Sequence, residues 1–179
     1  MTKTCRGAIV LALACGCYNA GPYGYDRVYA PLRPERAYLE RAQEAVYNDV
    51  RSDPADFQGQ VVSWFGEVES VAPAEGGGQQ VRMGFRAHQE RHLCEEAERQ
   101  TCRVTVAQAS SGSFTAVIQL TDVDQHGRNR VAAGSLLRVY CSVTGEYDAE
   151  GGPLLRCEYY RHWPRGQWVH TGMRGQMRR

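Results

Sequence analysis

No stretch of this 179-residue chain is long enough to cross a bilayer as a helix. The apolar run from Ala8 to Ala14 falls far short of the roughly 20 residues a membrane-spanning helix needs, and no later segment does better. An excess of one charge is missing too: 21 basic residues face 20 acidic ones, so nothing draws the chain in bulk toward nucleic acid or anionic lipid. Catalytic signatures are equally scarce. There is no Gly-x-Ser-x-Gly elbow, no Walker loop and no Cys/His pair in a protease context, and the glycines at 76–78 lack the lysine and following helix of a phosphate cradle. These absences point away from an enzyme and from any cofactor.

What is present begins at the N-terminus. In residues 1–17, Lys3 and Arg6 precede the apolar run, which ends in small residues and cysteine; this is the layout of an export signal. Leu11-Ala12-Leu13-Ala14-Cys15 resembles a lipobox, which implies diacylation of Cys15 and cleavage before it, with Cys17 the alternative site. A lipid-anchored protein on the periplasmic face of the outer membrane is the expectation, since Gly16 is not the Asp associated with inner-membrane retention. Once Lys3 and Arg6 leave with the signal, 19 basic residues remain against 20 acidic ones.

Four cysteines then remain, an even number in a chain expected to fold under oxidising conditions, so two disulfides are predicted: Cys94–Cys102 and Cys141–Cys157. The second follows from pattern. If residues 135–147 and 153–163 form a hairpin about the Asp148–Gly152 turn, the register that sets Cys141 against Cys157 also sets Val143 against Leu155 and Val139 against Tyr159.

The remaining organisation follows from periodicity. Residues 18–33, rich in Tyr, Gly and Pro, read as a flexible tether, and 34–51 as the one helix, closed at Asp53-Pro54. From Phe57 the period changes to two. A strand carrying Val62, Trp64 and Val68 and another carrying Val81, Met83 and Phe85 are joined by the Gly-rich 73–78 turn. Residues 87–100 are left unassigned, a third strand runs from Val104 with an interruption at 110–113, and 121–134 reads as a loop. The fold class predicted is mainly β: a small five-stranded OB-like antiparallel barrel with one N-terminal helix, spanning 34–164. The alternative is an open sheet with the helix packed on one face. Residues 165–179 read as a basic, disordered C-terminal tail.

Phe57-Gln58-Gly59-Gln60-Val61 with Trp64-Phe65-Gly66-Glu67-Val68, and the closing Tyr159-Tyr160-Arg161-His162-Trp163, resemble the first and last strands of the Slp-type outer-membrane lipoproteins over roughly 53–164. The resemblance implies an OB-like barrel tethered by lipid, in a family with no established enzymatic activity and no catalytic residues to carry over. Two cysteine pairs, the 87–101 lobe and the tyrosine-rich tether depart from the family pattern.

Three constellations invite chemistry. His88, His92, Cys94 and Cys102 have zinc-like spacing, but an oxidising compartment favours the disulfide, so no metal is assigned. Asp122, Asp124 and Asn129 carry calcium-type oxygens in the wrong spacing for an EF-hand. Aromatics of the barrel, Trp64, Tyr160 and Trp163, make a possible binding face. The function expected is a structural or protein-binding envelope module, with another envelope protein or peptidoglycan as partner. The alternative is a glycan or small-ligand binder using the aromatic face, and a metal-dependent hydrolase ranks last.

Overall fold

A computed structural model describes residues 23–96 and 101–177. The lipobox cysteines, Cys15 and Cys17, lie outside the described residues. Five strands close into a barrel in the order β1 (Val61–Pro73), β2 (Gln79–Phe85), β5 (Ser113–Ile118), β7 (Pro153–Trp163), β6 (Leu136–Tyr147) and back to β1. An odd number of strands cannot alternate direction all the way round. One pair must run parallel, and it is β5 with β7; the other four pairs are antiparallel, in keeping with the expected five-stranded barrel.

Strand β1 serves two partners. Its first half pairs with β6 and its second with β2, the two ladders overlapping at Gly66 and Glu67. A Cβ on residue 66 would lie 2.7 Å from the Met83 Cβ, so glycine lets the strand turn the barrel corner against the core. Inside, Val62, Trp64, Met83, Phe114, Val139 and Leu155 are buried with their neighbours in one cluster. Val81 and Met83 face inward as the period-two pattern requires.

The hairpin turn is held by the buried Asp148 carboxylate, which accepts from the N–H of Glu150 (3.0 Å) and Gly152 (2.7 Å) and pairs with Arg82 at 3.1 Å. Cys141 sits opposite Cys157 and Val143 opposite Leu155, as expected, and both disulfides are formed. Beyond the disulfide the register shifts by one, so that Val139 meets Tyr160 and not Tyr159. The extra residue is Glu158, a β-bulge. Cys157 and Tyr160 are three apart and would point to opposite faces of a regular strand; the bulge turns both toward the interior and leaves Tyr159 outside.

The expected helix over 34–51 is two short ones, α1 (Arg36–Arg41) and α2 (Tyr47–Ser52). Between them the backbone is extended: Gln43 N–H donates to the Val61 carbonyl at 2.8 Å, and Trp64 Nε1 to that of Ala45 at 3.3 Å. The two halves have different work. Tyr38 of α1 stacks on Tyr159 outside the barrel, at 4.8 Å between centroids, whereas Tyr47 and Val50 of α2 join the barrel core. One straight helix cannot reach both surfaces.

The interrupted third strand is two strands in different sheets. β4 (Cys102–Val106) joins β3 (Leu93–Cys94) and β8 (Trp168–His170) in a small lobe, while β5 belongs to the barrel. β8 overturns the disordered-tail reading, because Val104, Thr105 and Val106 offer a buried ladder that residues 168–170 complete in parallel. The 121–134 loop contains a short helix, α3 (Asp122–His126), capped by Thr121. Between barrel and lobe lies a second small core of Phe65, Val104, Val106, Leu136 and Trp163.

Candidate functional site

The outer face of β6 and β7 carries a polar cluster that composition does not announce. Glu35, at the foot of α1, is wholly buried. Its Oε1 accepts from the hydroxyls of Tyr29 and Tyr140 (2.6 Å for the latter), and its Oε2 from the backbone of Leu32 (2.9 Å) and from Arg161 (3.2 Å). Arg161 also donates to the Ala30 carbonyl at 2.9 Å. Arg138 covers the Tyr29 ring at 4.3 Å. Burial pushes the Tyr29 and Tyr140 hydroxyls well above their ordinary range, so both stay protonated donors to the carboxylate. The part of the expected flexible tether that falls within the described residues, 23–33, is therefore fastened to the barrel. Trp163 Nε1 adds a bond to the Tyr23 carbonyl at 2.8 Å.

Below this cluster, α3 is tied to β7. Asp124 accepts from His162 Nδ1 (2.7 Å), from the Tyr160 hydroxyl (2.6 Å) and from Thr121 Oγ1 (3.0 Å). Burial alone raises the Asp124 pKa, but the bonds from His162 and Tyr160 outweigh it and hold the carboxyl below its usual range. The same interaction, with burial the larger cause, pushes the Tyr160 hydroxyl up to about 12. On its other side His162 Nε2 lies 3.1 Å from Ser135 Oγ. Asp124, His162 and Ser135 thus have the connectivity of a hydrolytic triad. They lack its accessibility: Ser135 is only 2% exposed and its Oγ accepts the Ala132 N–H at 3.2 Å. The array is a strut joining α3 and the 132–135 turn to β7.

Between α3, β7 and the N-terminal segment opens a cleft of about 590 Å³. Tyr23, Tyr159 and Tyr160 supply aromatic surface, and Gln119 and Asn129 bring exposed amides with no hydrogen-bond partner among the described residues. Asp124, His162 and Tyr160 form its floor, already bonded to one another.

The three aromatics singled out from sequence do not share a face. Trp64 lies inside the barrel, 5% exposed, in edge contact with Tyr47 and Phe114. Trp163 is fully buried in the second core. Tyr160 alone reaches the cleft. The four cysteines are paired as predicted, so Cys94 and Cys102 hold no free thiolate for a metal. His88 and His92 meet Nε2 to Nε2 at 3.3 Å; His88 stacks on Phe65 at 4.6 Å, and His92 Nδ1 lies 2.8 Å from the Asp26 carbonyl. Burial, with His92 and Arg138 adding to it, depresses the His88 pKa to about 3, and burial lowers that of His92 as well. Among the described residues, no group of three or more His, Cys, Asp or Glu side chains is placed to hold a metal ion.

Sequence reasoning missed Glu35, Arg161 and the Asp124–His162 pair. Asp124 was weighed only as a calcium ligand, and Glu35 sat in a helix whose other charges are solvated. Compared with known proteins, the chain matches no family model, no curated protein and no solved structure.

Proposed function

We propose that the chain is an exported, lipid-anchored envelope protein whose barrel is a binding module, with the cleft at β7 as its ligand site. The observation that carries the binding role is that cleft: tyrosine faces beside unpartnered amides suit a polyhydroxylated ligand such as a glycan or a peptidoglycan strand. Export is supported by the two disulfides, which persist in an oxidising compartment. Anchoring at the outer membrane, facing the periplasm, rests on the lipobox-like Cys15 or Cys17. No helix among the described residues is long and apolar enough to cross a membrane, and a lipid anchor needs none. Membership of the Slp-type family is part of the same proposal; a closed five-stranded barrel is the fold it implies.

This reading favours ligand binding over a purely structural or protein-binding role, and no catalytic step is assigned. Titrating the full chain with soluble peptidoglycan fragments tests it. Saturable binding weakened about tenfold or more by Asn129→Ala with Tyr159→Ser supports the cleft, on the scale of losing two contacts of ~1 kcal/mol each. Absent binding, or equal binding by the variant, rejects it. Mass spectrometry of the mature N-terminus tests the anchor: a diacylated cysteine at 15 or 17 is expected, and an intact Met1 overturns export.

A further inference from the structure

On the far side of the second core, a cavity of about 700 Å³ separates the 132–135 turn from the C-terminal segment. Its wall is unlike that of the cleft. His170, Met173 and Met177 line it together with the indole of Trp168, all within ten residues of chain. Local structure brings them to one side. β8 fixes His170 by pairing it with Val106, and the 3₁₀ turn Thr171–Gly175 follows directly. The Met177 N–H donates to the Met173 carbonyl at 3.1 Å, which sets the two thioether side chains one turn apart. Trp168 Nε1 donates to the Gly134 carbonyl at 3.1 Å and holds the indole in the wall.

A second observation points to a ligand. His170 Nδ1 is buried and has no hydrogen-bond partner among the described residues, although a buried imidazole nitrogen is costly to leave unpaired. A Cβ on residue 172 would fall 2.9 Å from that nitrogen and 2.3 Å from Gln108 Oε1, so glycine at 172 lets the Gln108 amide pack beside the imidazole, and a ligand of Nδ1 takes the place of that amide.

We propose that His170, Met173 and Met177 form a binding site for a soft monovalent cation, copper(I) or its redox-inert analogue silver(I), with the Trp168 ring as a neighbouring π-face. Thioether sulfur binds copper(I) well and calcium, magnesium or zinc poorly, and imidazole completes a mixed N/S donor set. The charge around the cavity agrees. Glu67 and Glu95 in its wall are each paired with arginine, Arg86 at 2.6 Å and Arg103 at 3.8 Å, and Arg165 also lines it. Surroundings that carry no spare negative charge, with Arg165 adding a positive one, penalise a divalent ion more heavily than a monovalent one, which the indole face attracts. In an oxidising compartment these donors keep their form while free thiols do not. The site is separate from the cleft at β7, so it shares with the proposed function only the export reading and not the cleft.

Methionine-methyl NMR on the full chain provides the test. Cys5→Ser, Cys15→Ser and Cys17→Ser remove competing thiols and leave both disulfides intact. Silver(I) nitrate in chloride-free buffer is expected to saturate at one equivalent, moving the methyl resonances of Met173 and Met177 while that of core Met83 stays. Met173→Leu with Met177→Leu, close in shape, is expected to lower the affinity beyond the roughly 10–100-fold that losing a supporting group costs. His170→Gln is expected to lower it as well. Unmoved Met173 and Met177 methyls overturn the proposal, as does a folded double variant that binds unchanged. If the double variant does not fold, the parent's methyl shifts decide. Zinc(II) that produces the same shifts at the same concentration overturns the soft-cation assignment.

Discussion

The carboxylate of Glu35 meets the guanidinium of Arg161 across 126 residues of sequence, Oε2 to Nη1 at 3.2 Å, with both side chains almost wholly out of solvent. Neither charge is tolerable there alone. Glu35→Gln leaves Arg161 buried without its counter-charge and is expected to cost about 3–5 kcal/mol in urea unfolding. Adding Arg161→Met is expected to recover a large part of that loss. A double variant no more stable than Glu35→Gln would show that the pair is not the source.

Trp64 and Trp163 are core residues, and their truncation is expected to act on stability. Trp64→Ala and Trp163→Ala should each cost roughly 3–5 kcal/mol. Ligand binding by the fraction that remains folded should be unchanged for Trp64→Ala, which separates it from the cleft variants; Trp163→Ala also removes the bond that holds Tyr23 at the cleft.

The disulfides differ in loop length: Cys141 and Cys157 are 16 apart, Cys94 and Cys102 only 8. Each doubling of a closed loop adds roughly 0.6 kcal/mol of entropy cost to the open chain. Replacing the first pair with serine is therefore expected to lower Tm more than replacing the second, and calorimetry on the two variants reads the order directly.

Acid titration has two separate windows. His88 binds its proton far less readily folded, at about 3, than unfolded, at 6.5. The unfolded state then holds the extra proton between these values, so stability falls as pH drops from about 6.5 toward 3. Asp124 works lower. Its depressed pKa gives stability that is present above the ordinary carboxylate value of 3.8 and is lost as pH falls through the folded one. Thermal unfolding followed against pH should flatten in the upper window for His88→Phe and in the lower window for Asp124→Asn. A variant curve that merely shifts downward in parallel counts against the assignment.

Much of the barrel was legible because alternation survives in this sequence. The β6–β7 register could be placed from Cys141 and Cys157, and Val143 with Leu155 agreed with it. The bulge at Glu158 was not legible, since one extra residue leaves a period of two intact on either side. The break after Arg41 was hidden for a related reason: residues 34–51 keep a helical spacing overall, and only the separate destinations of Tyr38 and Tyr47 decide against one helix. The site was less legible than the fold. Glu35, Asp124 and His162 acquire their roles from partners far away in the chain, and no spacing records a partner. The thioether cluster is local, yet Met173 and Met177 stand in a segment whose arginines and glycines give it the composition of a disordered end.

The closed barrel has a further consequence for how the protein behaves in company. A sheet with a long open edge offers a row of unpaired N–H and C=O groups to any neighbouring chain. Here five strands close the barrel, with residues 157–163 of β7 lying beyond the short ladder it shares with β5, and the outer strands of the lobe are two and three residues long, Leu93–Cys94 and Trp168–His170. Among the described residues the lobe therefore offers a neighbouring chain no more than three residues of edge strand on either side. Edges that short disfavour edge-to-edge aggregation through the lobe.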